Sequence, residues 1–169
     1  MNNRVHYALL ISLALVLSLV EKLFPLGGLV PLPGIKLGLA NIVTMIALFY
    51  FGWQAAMLIT VSRCLLSSMF YGGLITLALS LAGGILAISV MAILKRGHGK
   101  WFSLIGIGIG GAAAHNLGQI IMASLLMNSG AVFYYLAVLF VAALITGTLT
   151  GMITHVLLQR LLRLGYERD

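Results

Sequence analysis

Acidic side chains are nearly absent from this chain of 169 residues, which has three of them against ten lysines and arginines. The three are Glu21, Glu167 and Asp169. Magnesium-dependent phosphoryl or prenyl transfer uses clustered carboxylates to hold the metal, and a Ser-His-Asp triad needs a buried carboxylate. The chain cannot supply either arrangement, since none of its acids lies deep in a predicted helix. We therefore predict that it is not itself an enzyme and that it holds no metal or other cofactor.

Cysteine and proline are also scarce. The single Cys64 excludes an internal disulfide and a multi-cysteine metal site, and its apolar surroundings predict a small buried side chain. All three prolines fall within residues 25–33, in a stretch that also contains Gly27, Gly28 and Gly34. Because proline breaks helices, this stretch predicts a structured loop or re-entrant segment between the first two helices.

Charge of either sign is rare, since 62% of the residues are hydrophobic and only 8% are charged. Soluble domains are usually about a quarter charged. A chain this apolar, with a mean hydropathy of +1.13, cannot cover a water-facing surface, so lipid must be its solvent. At about 20 residues per crossing, the length suits six transmembrane helices in a single integral membrane domain, residues 1–169.

The apolar runs predict an all-α membrane protein, a bundle of six helices. The predicted ranges are 5–24, 35–51, 54–71, 74–94, 101–127 and 132 to beyond 159. Tight turns at 52–53, 72–73 and 128–130 separate neighbouring helices. Small residues recur four apart, as in Gly106/Gly110 and Gly147/Gly151, and such spacing predicts close approach of helix backbones in lipid.

The basic residues lie at helix ends rather than on one amphipathic face, which indicates membrane orientation and not nucleic-acid binding. With six crossings, both termini and the loops after 51 and after 94 share one side. That side holds Arg4, Lys95, Arg96, Lys100, Arg160, Arg163 and Arg168. The other side holds only Lys22 and Lys36. The bias predicts that both termini lie in the cytoplasm, in a multi-pass protein of the cell membrane.

Arg63 is the most informative polar residue, because it lies near the middle of the third predicted helix. A charge at that depth costs at least roughly 2.5–3.5 kcal/mol on insertion scales, so Arg63 should face a cavity and meet an anion. The other polar side chains predicted to line a substrate pocket are Asn41, His115, Asn116 and Gln119, with Lys36 at the outer end of the second helix. Convergent polar groups in an apolar bundle indicate a ligand pocket, here one that opens outward. The alternative is that Arg63 pairs internally, for instance with Glu21, while the amides join helices.

Residues 33–44, Pro-Gly-Ile-Lys-Leu-Gly-Leu-Ala-Asn-Ile-Val-Thr, resemble the signature of a bacterial membrane family. That family is called heptaprenyl diphosphate synthase component I, and also the Gx transporter family. The Ala-His-Asn-Leu-Gly-Gln run of residues 114–119 extends the resemblance, which covers nearly the whole chain. The family is similar in turn to the substrate-binding (S) components of energy-coupling factor (ECF) transporters.

This resemblance implies a six-helix protein that captures a vitamin-like substrate outside the cell. Such a subunit topples in the membrane on a T component, driven by two cytoplasmic ATPases. The T component contacts small residues on the first helix, often Ala-x-x-x-Ala, and here Ala8 and Ser12 occupy those places. The enzyme part of the family name conflicts with the residues, because a prenyl diphosphate synthase is rich in aspartate and this chain has one, at its last position.

Three functions are open at this stage. The first is an ECF S component that imports a small anionic, partly apolar molecule (vitamin-like, isoprenoid or quinone precursor), with membrane lipid, a T component and two ATPases as partners. The second is a non-catalytic membrane subunit of isoprenoid or quinone synthesis. The third is a stand-alone carrier or channel, which a discontinuous helix near Pro33-Gly34 would mark.

Overall fold

The computed structural model describes residues 3–23 and 38–163. The long helices are α1 (Asn3–Leu23), α2 (Asn41–Tyr71), α3 (Leu74–Lys95), α4 (Leu104–Met127) and α5 (Leu136–Arg163), and a short 3-10 helix, Gly130–Tyr135, precedes α5. No β-strand occurs in these described ranges, so the prediction of an all-α protein is confirmed. The predicted Pro/Gly-rich loop and Lys36 lie outside the described residues.

Five of the described helices are long and apolar enough to cross a membrane, and not the six that were predicted. The difference arises because the predicted second and third helices are parts of one element, α2. Inside α2 the backbone leaves helical geometry at Gly52, with φ 83° and ψ −177°. This region of backbone space is essentially restricted to glycine, which explains why the interruption falls at this residue.

The chain reverses direction at Gly52. The hydroxyl oxygens of Thr44 and Thr60 are 3.1 Å apart, whereas a straight helix would separate these residues by about 24 Å. Gly73, which connects α2 to α3, has nearly the same conformation, with φ 85° and ψ 176°. The element α2 is therefore a helical hairpin, whose two parts we call the first arm (41–51) and the second arm (53–71).

Four parts of the chain meet at one end of the bundle, which we call the basic end. They are the start of α1, the Gly52 turn, the α3–α4 connection and the end of α5. The rings of His6 and Tyr7 at the start of α1 lie 5.7 and 5.4 Å from that of Phe51, beside the Gly52 turn. The ring of Phe49 lies 5.2 Å from that of His98, in the α3–α4 connection. The last turns of α5 pack into the same core. Six cations therefore lie at this end, where the described part of the chain places no acid: Arg4, Lys95, Arg96, Lys100, Arg160 and Arg163.

The opposite end, which we call the distal end, carries the turn into α2. There the carboxylate of Glu21 accepts a hydrogen bond from the backbone N–H of Leu39. Glu21 is buried on the same face of α1 as Ala14 and Ser18, and this face packs against α2. A carboxylate at a helix N-terminus is favoured by the unsatisfied N–H groups there. Glu21 thus ties the end of α1 to the start of α2.

Glycines bring α4 and α5 into backbone contact. A β-carbon on Gly147 would overlap the backbone of Ile109, and one on Gly151 would overlap that of Ile105. The predicted role of this pair in close packing is thus present in the structure. The other predicted pair, Gly106/Gly110, does not meet α5 in this way, because Gly106 has only the Ser103 hydroxyl near it and a β-carbon on Gly110 would meet the side chain of Leu94. The arrangement leaves no room between α4 and α5, so any polar cavity must lie elsewhere in the bundle.

Candidate functional site

The hydrogen-bonded threonines of α2 define the level of the candidate site. Asn41 precedes Thr44 by three residues, and Arg63 follows Thr60 by three. Residues three apart share a face of a helix. Because the arms are antiparallel, Asn41 and Arg63 lie at the same level, about one turn from the threonine pair towards the distal end. The hairpin therefore brings an amide and a cation to one place from positions 22 residues apart.

Arg63 is buried, with 2% of its surface exposed. Its Nε and Nη2 atoms have no hydrogen-bond partner within residues 3–23 and 38–163, and no described acid contacts it. These two N–H groups form the edge of the guanidinium that matches two oxygens of a carboxylate or phosphate. The described residues therefore do not provide the internal ion pair that was the alternative, and the bidentate edge has no partner among them.

Asn41 is also 2% exposed, and neither its Nδ2 nor its Oδ1 has a partner in the described part of the chain. A β-carbon on Gly38 would lie 2.7 Å from Nδ2 of Asn41 and 3.4 Å from Cδ2 of His115. The amide and the imidazole therefore approach each other across Gly38. Gly38 has φ 86°, so it favours glycine for its backbone as well as for the space it leaves.

Two adjacent glycines of α3, Gly83 and Gly84, lie against the other polar side chains of the candidate site. A β-carbon on Gly84 would lie 3.5 Å from Nη2 of Arg63. One on Gly83 would lie 3.0 Å from both Cε1 of His115 and Cγ of Gln119. Side chains from α2 and α4 therefore fill the space that α3 leaves empty on its two flanks. Asn41, Arg63, His115 and Gln119 form what we call the polar site.

The structure places Asn116 apart from this group. Its Nδ2 donates to the backbone carbonyl of Leu139, at 2.7 Å, and so joins α4 to α5. Consecutive helical residues point about 100° apart, so His115 and Asn116 cannot both face α3. Asn116 performs the interhelical bonding that was the alternative for the amides.

Sequence reasoning missed Gly38, Gly83 and Gly84. An adjacent glycine pair in the middle of an otherwise apolar helix was the available signal, because glycine leaves room for a neighbouring side chain. Without knowledge of which helix packs against α3, this pair could be interpreted only as a packing feature. The contacts of the β-carbons assign it to the polar site instead.

The chemistry of the polar site suits an anion and not a metal ion. In the described ranges, no three His, Cys, Asp or Glu side chains are close enough to hold a metal. The groups that converge are a guanidinium, two amides and an imidazole, all of which can donate N–H hydrogen bonds. An oxyanion would accept these bonds and would offset the charge of Arg63.

The predicted partner-binding pair lies on the surface. Ala8 and Ser12 are exposed on α1, and the Ser12 hydroxyl donates to the carbonyl of Ala8 at 2.9 Å. Among the described elements, α1 contacts only α2. This face of α1 is therefore accessible to lipid or to another protein within the membrane.

A family model described as heptaprenyl diphosphate synthase component I matches residues 10–157 of the chain. The matched range extends from α1 into α5 and includes every member of the polar site. The match confirms the resemblance drawn from residues 33–44 and 114–119. Neither a curated protein nor a solved structure matches the chain.

Proposed function

The chain belongs to the heptaprenyl diphosphate synthase component I family, and from this premise we propose that it is a non-catalytic membrane subunit of isoprenoid synthesis. Its role is to bind an anionic isoprenoid molecule in the polar site. The observation that carries the proposal is the buried guanidinium of Arg63, whose Nε and Nη2 have no partner among the described residues. A prenyl diphosphate combines an oxyanion for Arg63 with a tail suited to an apolar bundle.

The energetics of Arg63 favour an anionic ligand. A cation near the bilayer centre costs at least roughly 2.5–3.5 kcal/mol. By chain length, Arg63 lies about 16 Å from Gly52 and about 13 Å from Gly72, close to the middle of the hairpin. A bound phosphate would offset this cost through charge-assisted hydrogen bonds, which contribute about 1.5–3 kcal/mol each.

The scarcity of carboxylates supports a role in binding rather than in catalysis. Glu21 is the one acid in the described ranges, and it contacts the N-terminus of α2. Ionisation of an allylic diphosphate needs magnesium held by several carboxylates. We propose that a separate synthase subunit supplies this chemistry and that the present chain presents or retains the lipid-like substrate.

For the membrane arrangement, we infer that the two arms of α2 belong to two separate crossings, which gives six passes. The basic end then faces the cytoplasm of a bacterial cell, in accord with the positive-inside rule. The polar site lies in the half of the bundle nearer the distal end.

A second candidate function is the S component of an ECF transporter, and one observation favours it. Ala8 and Ser12 form an exposed small-residue face on α1, which suits contact with a T component. In this case the polar site captures a small anionic molecule for import, and two ATPases drive the cycle. The same polar site serves both functions, so the partner protein distinguishes them.

The binding proposal is tested with purified protein in lipid nanodiscs and farnesyl diphosphate as the probe. Farnesol has the same tail without charge, and inorganic diphosphate has the charge without a tail. We expect farnesyl diphosphate to bind more tightly than either. The change Arg63→Gln should weaken its binding about tenfold or more, since hydrogen bonds to a charged group contribute roughly 1.5–3 kcal/mol.

Arg160→Gln is the matched control, because Arg160 is an exposed arginine at the basic end. It should leave the affinity for farnesyl diphosphate unchanged. Equal binding by wild type and Arg63→Gln would show that the polar site does not hold the oxyanion.

A separate experiment distinguishes the two functions. Purified chain is added to a soluble prenyl diphosphate synthase from the same cell, and product length and rate are measured. A change in either supports the biosynthetic subunit. ATP-dependent accumulation of the probe in vesicles that also contain a T component and its ATPases supports the transport function instead.

A further inference from the structure

A groove at the basic end lies outside the polar site. It has a volume of about 360 Å³, and its walls include Leu48, Trp53, Ala92, Ile93, Lys95 and Arg96. These residues come from the two sides of the Gly52 turn and from the last turns of α3. We propose that this groove binds one anionic phospholipid, with the phosphate at Arg96 and the upper acyl chain along Ile93.

The positions of the two tryptophans of the chain indicate how deep the groove lies in the bilayer. Trp53 lines it and is 49% exposed, and Trp101, which precedes α4 at the same end, is 77% exposed. Tryptophan is enriched where a bilayer meets water, at the level of the lipid headgroups. The groove therefore lies at the depth of the phosphates of the adjacent leaflet, and not in the hydrocarbon core or in bulk water.

The two basic side chains of the groove have different roles. Nζ of Lys95 donates to the carbonyl of Leu48 at 2.7 Å and lies 5.1 Å from the ring centroid of Phe49. Lys95 is thus held against the end of the first arm. Arg96 is exposed, and no described acid contacts it. Its guanidinium can therefore contact a phosphate, while Lys95 adds a fixed positive charge beside it.

The charge around the groove favours an anionic lipid over a zwitterionic one. The basic end carries six lysines and arginines, and the described part of that end has no acid. Basic residues near a membrane surface attract anionic headgroups by an amount equivalent to about fivefold in affinity for each residue. A groove within this cluster should therefore select phosphatidylglycerol over phosphatidylcholine.

The apolar wall identifies the ligand as a lipid and not a free phosphate. Ile93 is 63% exposed and lies on α3 one half-turn before Lys95, on the membrane side of the basic residues. Leu48 and Ala92 extend this surface. A free phosphate would contact Arg96 but leave the wall uncovered, whereas a phospholipid satisfies both parts at once.

The test uses Trp53 as a reporter in a Trp101→Phe variant, which leaves it as the single tryptophan. The protein is reconstituted in phosphatidylcholine vesicles that contain rising fractions of lipid brominated on the upper acyl chain. Bromine quenches tryptophan fluorescence on contact. We expect brominated phosphatidylglycerol to reach half-maximal quenching at a fraction about fivefold lower than brominated phosphatidylcholine does.

Arg96→Gln in the same background should abolish this preference. Arg160→Gln, which removes one charge from the same end but not from the groove, should preserve it. The proposal would be overturned if brominated phosphatidylglycerol and phosphatidylcholine quenched Trp53 equally. It would also be overturned if Arg96→Gln and Arg160→Gln reduced the preference for phosphatidylglycerol to the same extent, because the attraction would then be spread over the whole surface. Reversal of the quenching by inorganic phosphate would also overturn it, because the groove would then be a site for free anions.

Discussion

Arg63 shows how much one residue can reveal when its surroundings are apolar. A cation in the middle of a hydrophobic helix is costly, so its presence alone predicts a cavity and an anion. The structure adds the identity of the unpartnered edge, Nε and Nη2, and the neighbour Gly84. These details depend on which helices pack together, and a single sequence does not contain that information.

Replacing Arg63 should separate its cost to folding from its use in binding. We expect Arg63→Met to raise the free energy of unfolding of the ligand-free protein by about 1–3 kcal/mol, because an apolar side chain replaces a buried charge. Binding of farnesyl diphosphate should be lost at the same time. Thermal unfolding in detergent micelles measures the first effect.

Lys95→Met is the control for this prediction. Nζ of Lys95 donates to the carbonyl of Leu48, so its removal should destabilise the protein by about 1 kcal/mol or more. A lower unfolding temperature for Arg63→Met as well would mean that the guanidinium is satisfied within the protein.

The polar site was predictable in part at this scale. Asn41, Arg63, His115 and Gln119 are conspicuous because polar residues are rare in the apolar runs, and the structure brings them together. That they bind a ligand stays a prediction. Asn116 was grouped with them by sequence proximity, but its position one residue after His115 turns it towards α5.

At the scale of helices, apolar runs and glycines predicted most of the elements but not all of their limits. The predicted starts of the last two helices, 101 and 132, lie three and four residues before the observed ones. The Ser103 hydroxyl caps α4 by accepting the N–H of Gly106, so α4 begins at Leu104. The 3-10 helix Gly130–Tyr135 delays α5 to Leu136. Apolar composition does not distinguish a 3-10 turn from an α-helical one.

The α4–α5 contact should be intolerant of a single methyl group. We expect Gly147→Ala to destabilise the protein by about 1–3 kcal/mol, because its β-carbon would overlap the backbone of Ile109. Gly106→Ala on α4 is the control. Its β-carbon would have only the Ser103 hydroxyl near it, at 3.6 Å. This change should be neutral or stabilising by up to about 1 kcal/mol, as measured by thermal unfolding.

The Gly52 turn should also be intolerant of an added methyl group, but for a different reason. A β-carbon there would meet nothing within 4 Å, but φ is +83°. We expect Gly52→Ala to cost about 1–3 kcal/mol through backbone strain alone. Gly130→Ala tests this explanation, since Gly130 also has open space around it but lacks a positive φ. Equal stability of the two variants in thermal unfolding would contradict the strained turn.

At the scale of the whole molecule, the hairpin decides how many times the chain crosses the membrane. We predict that Gln54→Cys and Lys100→Cys, made in a Cys64→Ala background, react with an impermeant maleimide from the same side. Gly130→Cys should react from the opposite side. All three positions lie on exposed parts of the described chain.

A straight α2 would place Gln54 near the middle of the bilayer, where the reagent cannot reach it. Lack of reaction at that position, with normal reaction at Lys100→Cys, would therefore reject the six-pass arrangement. Reaction of Lys100→Cys only in inverted vesicles would support a cytoplasmic basic end, and reaction in intact cells would reverse the orientation.

The glycine pair of α3 has a consequence for how this protein can evolve. Gly83 and Gly84 leave the space that His115, Gln119 and Arg63 occupy, and a glycine codon becomes an alanine codon by one base change. Such a change at Gly84 would add a methyl group 3.5 Å from Nη2 of Arg63 and against Thr60, without altering any charge. Under the proposed function, related chains would thus diverge in the size of the anion they bind through positions that carry no side chain.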